Sequence, residues 1–233
     1  MENEFYAGHL SKSDTNILMN SVYQWMMVGL LISGLSAFMV THSTFLLHLL
    51  FGNPYAIWVL FFIEIGLVIA ISAGINKMDV STARVLFVLF SIVDGMTLAS
   101  IFLVYTEASI VTTFFIAAMT FGVMSLYGYF TDSDLSAWGG ILFAGLIGVI
   151  IALVVNFFLQ SPAFEWWICI IGVIVFVGLT AYDTQKIKQM GAAMANDDAQ
   201  SLSRVAIVGA LALYLDFINL FVMMLEFFGN QRN

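Results

Sequence analysis

Seven runs of about twenty apolar residues, separated by short polar breaks, dominate the chain: residues 22–41, 55–75, 85–105, 109–130, 138–159, 164–185 and 205–228. A hydrocarbon core about 30 Å thick needs roughly 20 apolar residues of helix to cross it. The pattern therefore predicts an all-α membrane protein with seven transmembrane helices. Gly52-Asn53-Pro54, Asp132-Ser133-Asp134 and Ser161-Pro162 supply turn chemistry between runs. The longest internal connection, 186–204, holds KQMGAAMANDDAQSLSR and reads as a flexible loop. The organisation expected is an N-terminal segment over 1–21, one seven-helix domain over 22–228, and a short tail over 229–233.

Composition agrees. Of 233 residues, 61% are hydrophobic and 9% charged, with a mean hydropathy of +1.00, against about 25% charged in an ordinary soluble domain. The first 21 residues contain acids, lack a basic leader region and are followed by no small-residue cleavage site, so they do not read as a signal peptide. The single cysteine, Cys169, excludes a disulfide framework and reads as buried filler. His9, His42 and His48 have no metal-ligand spacing among them.

Charge sets an orientation. With the N-terminus cytoplasmic, that side receives Lys12, Lys77, Arg84, Lys186, Lys188 and Arg204, and the other side only Arg232. This asymmetry is a positive-inside signal, and seven spans then put the C-terminus outside. The outer side carries Glu107, Glu165 and Glu226, which would draw cations toward an opening there or simply reflect the lack of selection for basic residues. The net charge is −8, and no nucleic acid is expected as a partner.

Small residues recur at helical spacing in three spans: Gly29, Ser33 and Ala37; Gly66, Ala70 and Gly74; Ala144 and Gly148. Such faces predict close helix packing. The acids inside the spans are harder to account for, because an aspartate at the centre of an inserted helix costs roughly 2.5 to 3.5 kcal/mol. Asp216 shares a stripe with Gly209, Ala212, Asn219 and Met223, a small and polar face that cannot look at lipid. The other faces of that last helix are apolar too, so it reads as a helix surrounded by its neighbours. Asp183 ends a stripe through Gly172 and Phe176 and lies close to Lys186 and Lys188; on composition alone it is either a helix-end acid reaching interfacial water or a partner for Asp216.

Depth opposes the pairing. At 1.5 Å per residue, Asp183 lies about 26 Å into its span and Asp216 about 16 Å into the next, so helix tilt or a later start of the last span is needed to level them. If they meet, two carboxylates in low dielectric cannot both stay ionised, and they hold one proton and titrate as a unit. The shared proton ties the two helices, whereas two charges repel or admit a cation. Calcium suits such a site because it takes about six to eight oxygen ligands; two side chains leave it weakly held and hydrated. Glu64 and Asp94 are the other intramembrane acids, candidates for a cation path together with Asn219. Glu64 could equally be a hydrogen-bonded structural acid, and Asp94, which precedes Gly95, could pair with a backbone or hydroxyl group.

Four stretches carry a resemblance: YTEASIVTTFFIAAMTFGVMSLYGYFT from Tyr105, TDSDLSAWGGILFAGLIG from Thr131, GLTAYDTQKI from Gly178 and ALALYLDFINLFVMMLEFFG from Ala210. With them the chain resembles the Bax inhibitor-1 family, in its bacterial branch, over most of its length. The resemblance implies a seven-helix bundle with the last helix central, acting as a pH-sensitive calcium leak with no cofactor, calcium being the transported ion. It also implies a pH-sensing dyad at Asp183 and Asp216, and a basic residue near the cytoplasmic end of the second span that binds the dyad, for which Lys77 or Arg84 is the candidate. The location implied is a bacterial inner membrane, with the lipid bilayer, calcium and protons as partners.

Two other readings compete. One is a modulator of a membrane protease or other membrane complex that transports nothing. The other is an intramembrane aspartyl protease, opposed by the absence of a Gly-x-Gly-Asp element at Tyr214-Leu215-Asp216. No serine nucleophile motif, phosphate-binding loop or redox motif offers a foothold for other enzyme chemistry.

Overall fold

The chain's apolar runs become long helices, because a backbone surrounded by apolar side chains must satisfy its own N–H and C=O groups. The structure is a computed structural model that describes residues 2–193 and 199–232. In chain order the helices are α1 (Glu2–Thr41), α2 (Thr44–Phe51), α3 (Pro54–Gly74), α4 (Val80–Val104), α5 (Glu107–Phe130), α6 (Ser136–Leu159), α7 (Pro162–Ala193) and α8 (Ala199–Phe228), with a 3-10 turn at Ile75–Lys77 after α3. All but α2 are long and apolar enough to cross a membrane. Among the described residues there is no strand, only an isolated antiparallel bridge between Tyr105 and Gln231.

The seven expected spans are present with extended ends. Most of the expected loop 186–204 is helix instead: α7 runs on to Ala193 and α8 begins at Ala199, taking in Arg204. Alanine, glutamine and lysine there are good helix formers, and loop composition gave no reason to stop before Asn196-Asp197-Asp198, which with 194 and 195 lies outside the described residues, as do the side chains of His9 and Lys12. The N-terminal segment is likewise drawn into α1. Helix α2 also departs from expectation, since eight residues are too few to register as a span; the Ser43 hydroxyl caps it by accepting from Leu46 N. The Gly52-Asn53-Pro54 turn starts α3 as its composition predicts, with Asn53 accepting from Tyr55 N and Pro54 in the first turn.

The chain divides into two compact units. The first contains Met1–Val104 and Lys188–Tyr214. In it α1 packs mainly on α4, α3 lies against α4, and α2 touches α1 and α3 around a core of Ala37, Val40, Leu50, Leu60 and Ala99. The α1 stripe of small residues is a packing face: a Cβ at Gly95 would lie 2.4 Å from Ser33 O, and one at Gly29 would meet the Phe87 ring at 2.8 Å. The α3 stripe does not behave alike, since Gly66 meets nothing within 4 Å and Gly74 meets only the end of Met78.

The second unit contains Tyr105–Ile187 and Leu215–Asn233. Gly128 on α5 lies against the Ala181 backbone of α7, where a Cβ would be 2.2 Å from the carbonyl oxygen. Helix α6 turns Gly139 toward the Tyr182 ring and Gly145 toward Val175, rather than the expected Ala144 and Gly148, both exposed. Phe114 and Phe121 of α5 pack edge-on against Phe217 of α8. Of the seven spans the last is the best buried, at 67% of its most apolar window against at most 39% in any other.

These contacts make a paired prediction. Gly128→Ala forces backbone apart and should lower stability by about 1 to 3 kcal/mol, whereas Gly122→Ala, which meets nothing within 4 Å, should leave it unchanged. Thermal unfolding of both variants in detergent checks this; equal midpoints would remove the close approach as a constraint.

Candidate functional site

Helices α7 and α8 run antiparallel in the second unit, and two contacts fix their register. Gly172 faces the Met223 sulfur, and Cys169 Sγ lies 3.4 Å from Glu226 Oε2, so three residues back along one helix match three forward along the other. Extending that register sets Leu179 opposite Asp216 and leaves Asp183 four residues further along, about 6 Å at 1.5 Å per residue. The offset read from span boundaries is thus reduced to about one turn, because α7 and α8 both extend beyond the apolar runs that defined those boundaries.

Asp216 is 5% exposed, and its Oδ2 is buried with no hydrogen-bond partner among the described residues. Asp183 is half-buried. Each acid has a charged neighbour: Asp183 acts on Asp216, and Lys186, one turn along α7, acts on Asp183. The residues next to Asp183 are tied down. Thr184 Oγ1 donates to Thr180 O at 2.7 Å and lies 3.0 Å from Ser125 Oγ of α5. Gln185 clamps the α5–α6 connection, its Nε2 donating to Ser133 O and its Oε1 accepting from Leu135 N, both at 2.8 Å. Asn219, placed in the cation path from sequence, donates its amide to Leu215 O of its own helix at 2.7 Å.

The other two acids lie in the first unit. Thr97 Oγ1 donates to Glu64 Oε1. Asp94 Oδ2 is hydrogen-bonded to the Tyr214 hydroxyl, which supports the expectation of a hydroxyl partner. Lys77 ends the 3-10 turn after α3, exposed; Arg84 lies on α4 with its guanidinium carbon 5.4 Å from the Trp25 ring centroid. Both basic candidates belong to the first unit, and the two acids of the dyad to the second. Among the described residues no three His, Cys, Asp or Glu side chains converge as a metal site.

The sequence matches a known family. The model of the family described as inhibitor of apoptosis-promoting Bax1 matches residues 15–233. The chain belongs to the Bax inhibitor-1 family. Inner membrane protein YbhL of Escherichia coli K12 is 50% identical over 214 residues, 92% of each chain. A protein of Borreliella burgdorferi is 45% identical over 94% of each chain, and protein RP147 of Rickettsia prowazekii is 40% identical over 92% of this chain and 90% of its own. This member of the Bax inhibitor-1 family is thus a multi-pass membrane protein similar to a bacterial inner membrane protein.

Sequence reasoning passed over three polar residues of this Bax inhibitor-1 chain: Thr184, Gln185 and Tyr214. The first two stand in GLTAYDTQKI, and a polar pair directly after a membrane acid was a usable signal. Tyr214 offered none, because a tyrosine amid leucine and phenylalanine reads as apolar volume.

Two predictions concern the segment that Gln185 holds. Gln185→Leu removes the partner of the Ser133 carbonyl and the Leu135 amide and should cost about 0.5 to 1.5 kcal/mol, read as a lowered unfolding midpoint in detergent; an unchanged midpoint would show that water replaces the clamp at no cost. Asp134 Oδ1 accepts from Ser136 N at 2.9 Å, and this backbone hydrogen bond holds its exposed carboxyl below the usual aspartate range. A carboxyl depressed by folding contributes stability above its unfolded pKa and loses it as pH falls through the folded value. Asp134→Asn should therefore narrow the difference in unfolding midpoint between neutral pH and pH below about 3.8. A difference identical to wild type would exclude that contribution.

Proposed function

We propose that this chain is a calcium leak whose conductance follows the protonation of Asp183 and Asp216. The observation that carries the reading is Asp216 Oδ2, buried and without a hydrogen-bond donor. An ionised carboxylate in such surroundings needs a compensating positive charge, and a proton or a metal cation can supply it. Asp183, one turn away by the α7–α8 register, is the second acid able to share either.

With a proton between them the acids draw α7 and α8 together. Without it, two like charges in low dielectric separate or admit a cation. Calcium is the cargo that fits, because carboxylate oxygens and water make up its preferred shell. Two carboxylates hold it loosely enough to pass on, as conduction requires. The same reading puts the N-terminus in the cytoplasm and the C-terminus outside an inner membrane, from the placement of six of the seven basic residues.

Calcium uptake into proteoliposomes, followed from acid to neutral pH, tests the proposal. Wild type should show uptake that changes with pH. Asp183→Asn and Asp216→Asn should each give uptake that no longer responds, while Cys169→Ala keeps the wild-type profile. An unaltered pH response in both aspartate variants, or no uptake by wild type at any pH, would overturn it.

A further inference from the structure

The hydrogen bonds around Tyr214 leave a proton to be accounted for. Four groups of the first unit form a chain: Asp94 Oδ2 lies against the Tyr214 hydroxyl, that hydroxyl is 2.6 Å from Ser33 Oγ, and Ser33 Oγ is 2.7 Å from Ser91 O. All are sealed from solvent, with Tyr214 and Ser91 at 0%, Ser33 at 1% and Asp94 at 8% exposure. Each of these three oxygen–oxygen contacts requires one hydrogen between its atoms, because two bare oxygens at that separation repel.

Tyrosine and serine supply one hydroxyl proton each. If Asp94 is ionised, Tyr214 donates to it, and Ser33 can serve either Tyr214 or the Ser91 carbonyl. One contact is then left empty. If Asp94 carries a proton, the chain closes: Asp94 donates to Tyr214, Tyr214 to Ser33 and Ser33 to Ser91 O. The Gly29 carbonyl, 3.0 Å from Ser33 Oγ, is an alternative acceptor for the last proton and adds no donor.

We propose that Asp94 is a second proton-binding site of this protein, the neutral acid heading a directed hydrogen-bond chain through Tyr214 and Ser33 to the Ser91 carbonyl. The groups facing it are consistent with that state. From α3 comes Glu64, an acid; from the 199–214 part of α8 comes Tyr214; from α1 come the hydroxyls of Ser33 and of Ser36, the latter bonded to Ile92 O at 2.8 Å. Among the described residues no basic group acts on Asp94.

The step balances simply. Release breaks the Asp94 O–H bond and hands the proton to water or a base. Tyr214 then reverses to donate to the carboxylate, and Ser33 must abandon either Tyr214 or Ser91. Proton loss therefore loosens one of the ties that join α1, α4 and the first part of α8. This site does not depend on calcium passing through the protein.

Infrared spectroscopy of the full-length protein in lipid nanodiscs at neutral pH, with exchange into heavy water, reads the proton directly. Wild type should show a carboxylic acid carbonyl band that shifts on deuteration and is missing from Asp94→Asn, yet remains in Asp183→Asn, Asp216→Asn and Glu64→Gln. Tyr214→Phe removes the acceptor while keeping the ring, so it should move that band to higher frequency without abolishing it. Coincident spectra for wild type and Asp94→Asn would overturn the proposal. Should Asp94→Asn fail to fold, a Tyr214→Phe spectrum that superimposes on wild type in this region would overturn it equally.

Discussion

A carboxyl group enclosed by hydrocarbon must find a proton, a cation or a set of donors, and Glu64, Asp94, Asp183 and Asp216 meet that demand differently. Glu64 takes the hydroxyl of Thr97 and Asp94 that of Tyr214. Asp183 keeps partial exposure and the field of Lys186. Asp216 has a buried oxygen with no hydrogen-bond partner among the described residues. Unpartnered polar groups in low dielectric cost several kcal/mol, so the helices that carry these acids are placed by what the acids need as well as by apolar packing.

Short-range packing makes those partners reachable. Gly95 directly follows Asp94 and lets the Ser33 backbone come within a distance that no Cβ would permit, which brings the Ser33 hydroxyl to Tyr214. In the second unit Gly128 admits the Ala181 backbone two residues before Asp183, and Ser125 of the same α5 face then meets Thr184. Small residues and hydroxyls thus act together. A larger residue at either glycine would separate backbones and, with them, the hydrogen bonds around the acids.

This logic explains which parts were legible in the sequence. The seven spans were, because the length of an apolar run is a direct consequence of bilayer thickness. The stripe through Gly29, Ser33 and Ala37 was read correctly as a packing face, but Ala144 and Gly148 were not, since spacing alone does not say which side of α6 turns toward Val175. Helix α2 is apolar but too short to register as a span, and the extended ends of α7 and α8 lie outside the apolar runs, where helix propensity rather than hydropathy decides. The acids were visible as individual residues. Their partners were not: a hydroxyl 120 positions away, as Tyr214 is from Asp94, leaves no trace in local spacing.

The contrast between the two buried aspartates carries functional weight. Asp94 sits in a closed chain in which every contact has a use for one proton, so removing that proton costs a hydrogen bond as well as a desolvated charge. Asp216 offers a bare oxygen, so a proton arriving there displaces nothing, and neither does a cation. As proposed above, a site of the first kind serves as a fastening and a site of the second kind as a switch. Tyr214 and Asp216 stand two residues apart on the unbroken helix α8, so under the proposed function the fastening and the switch share one backbone.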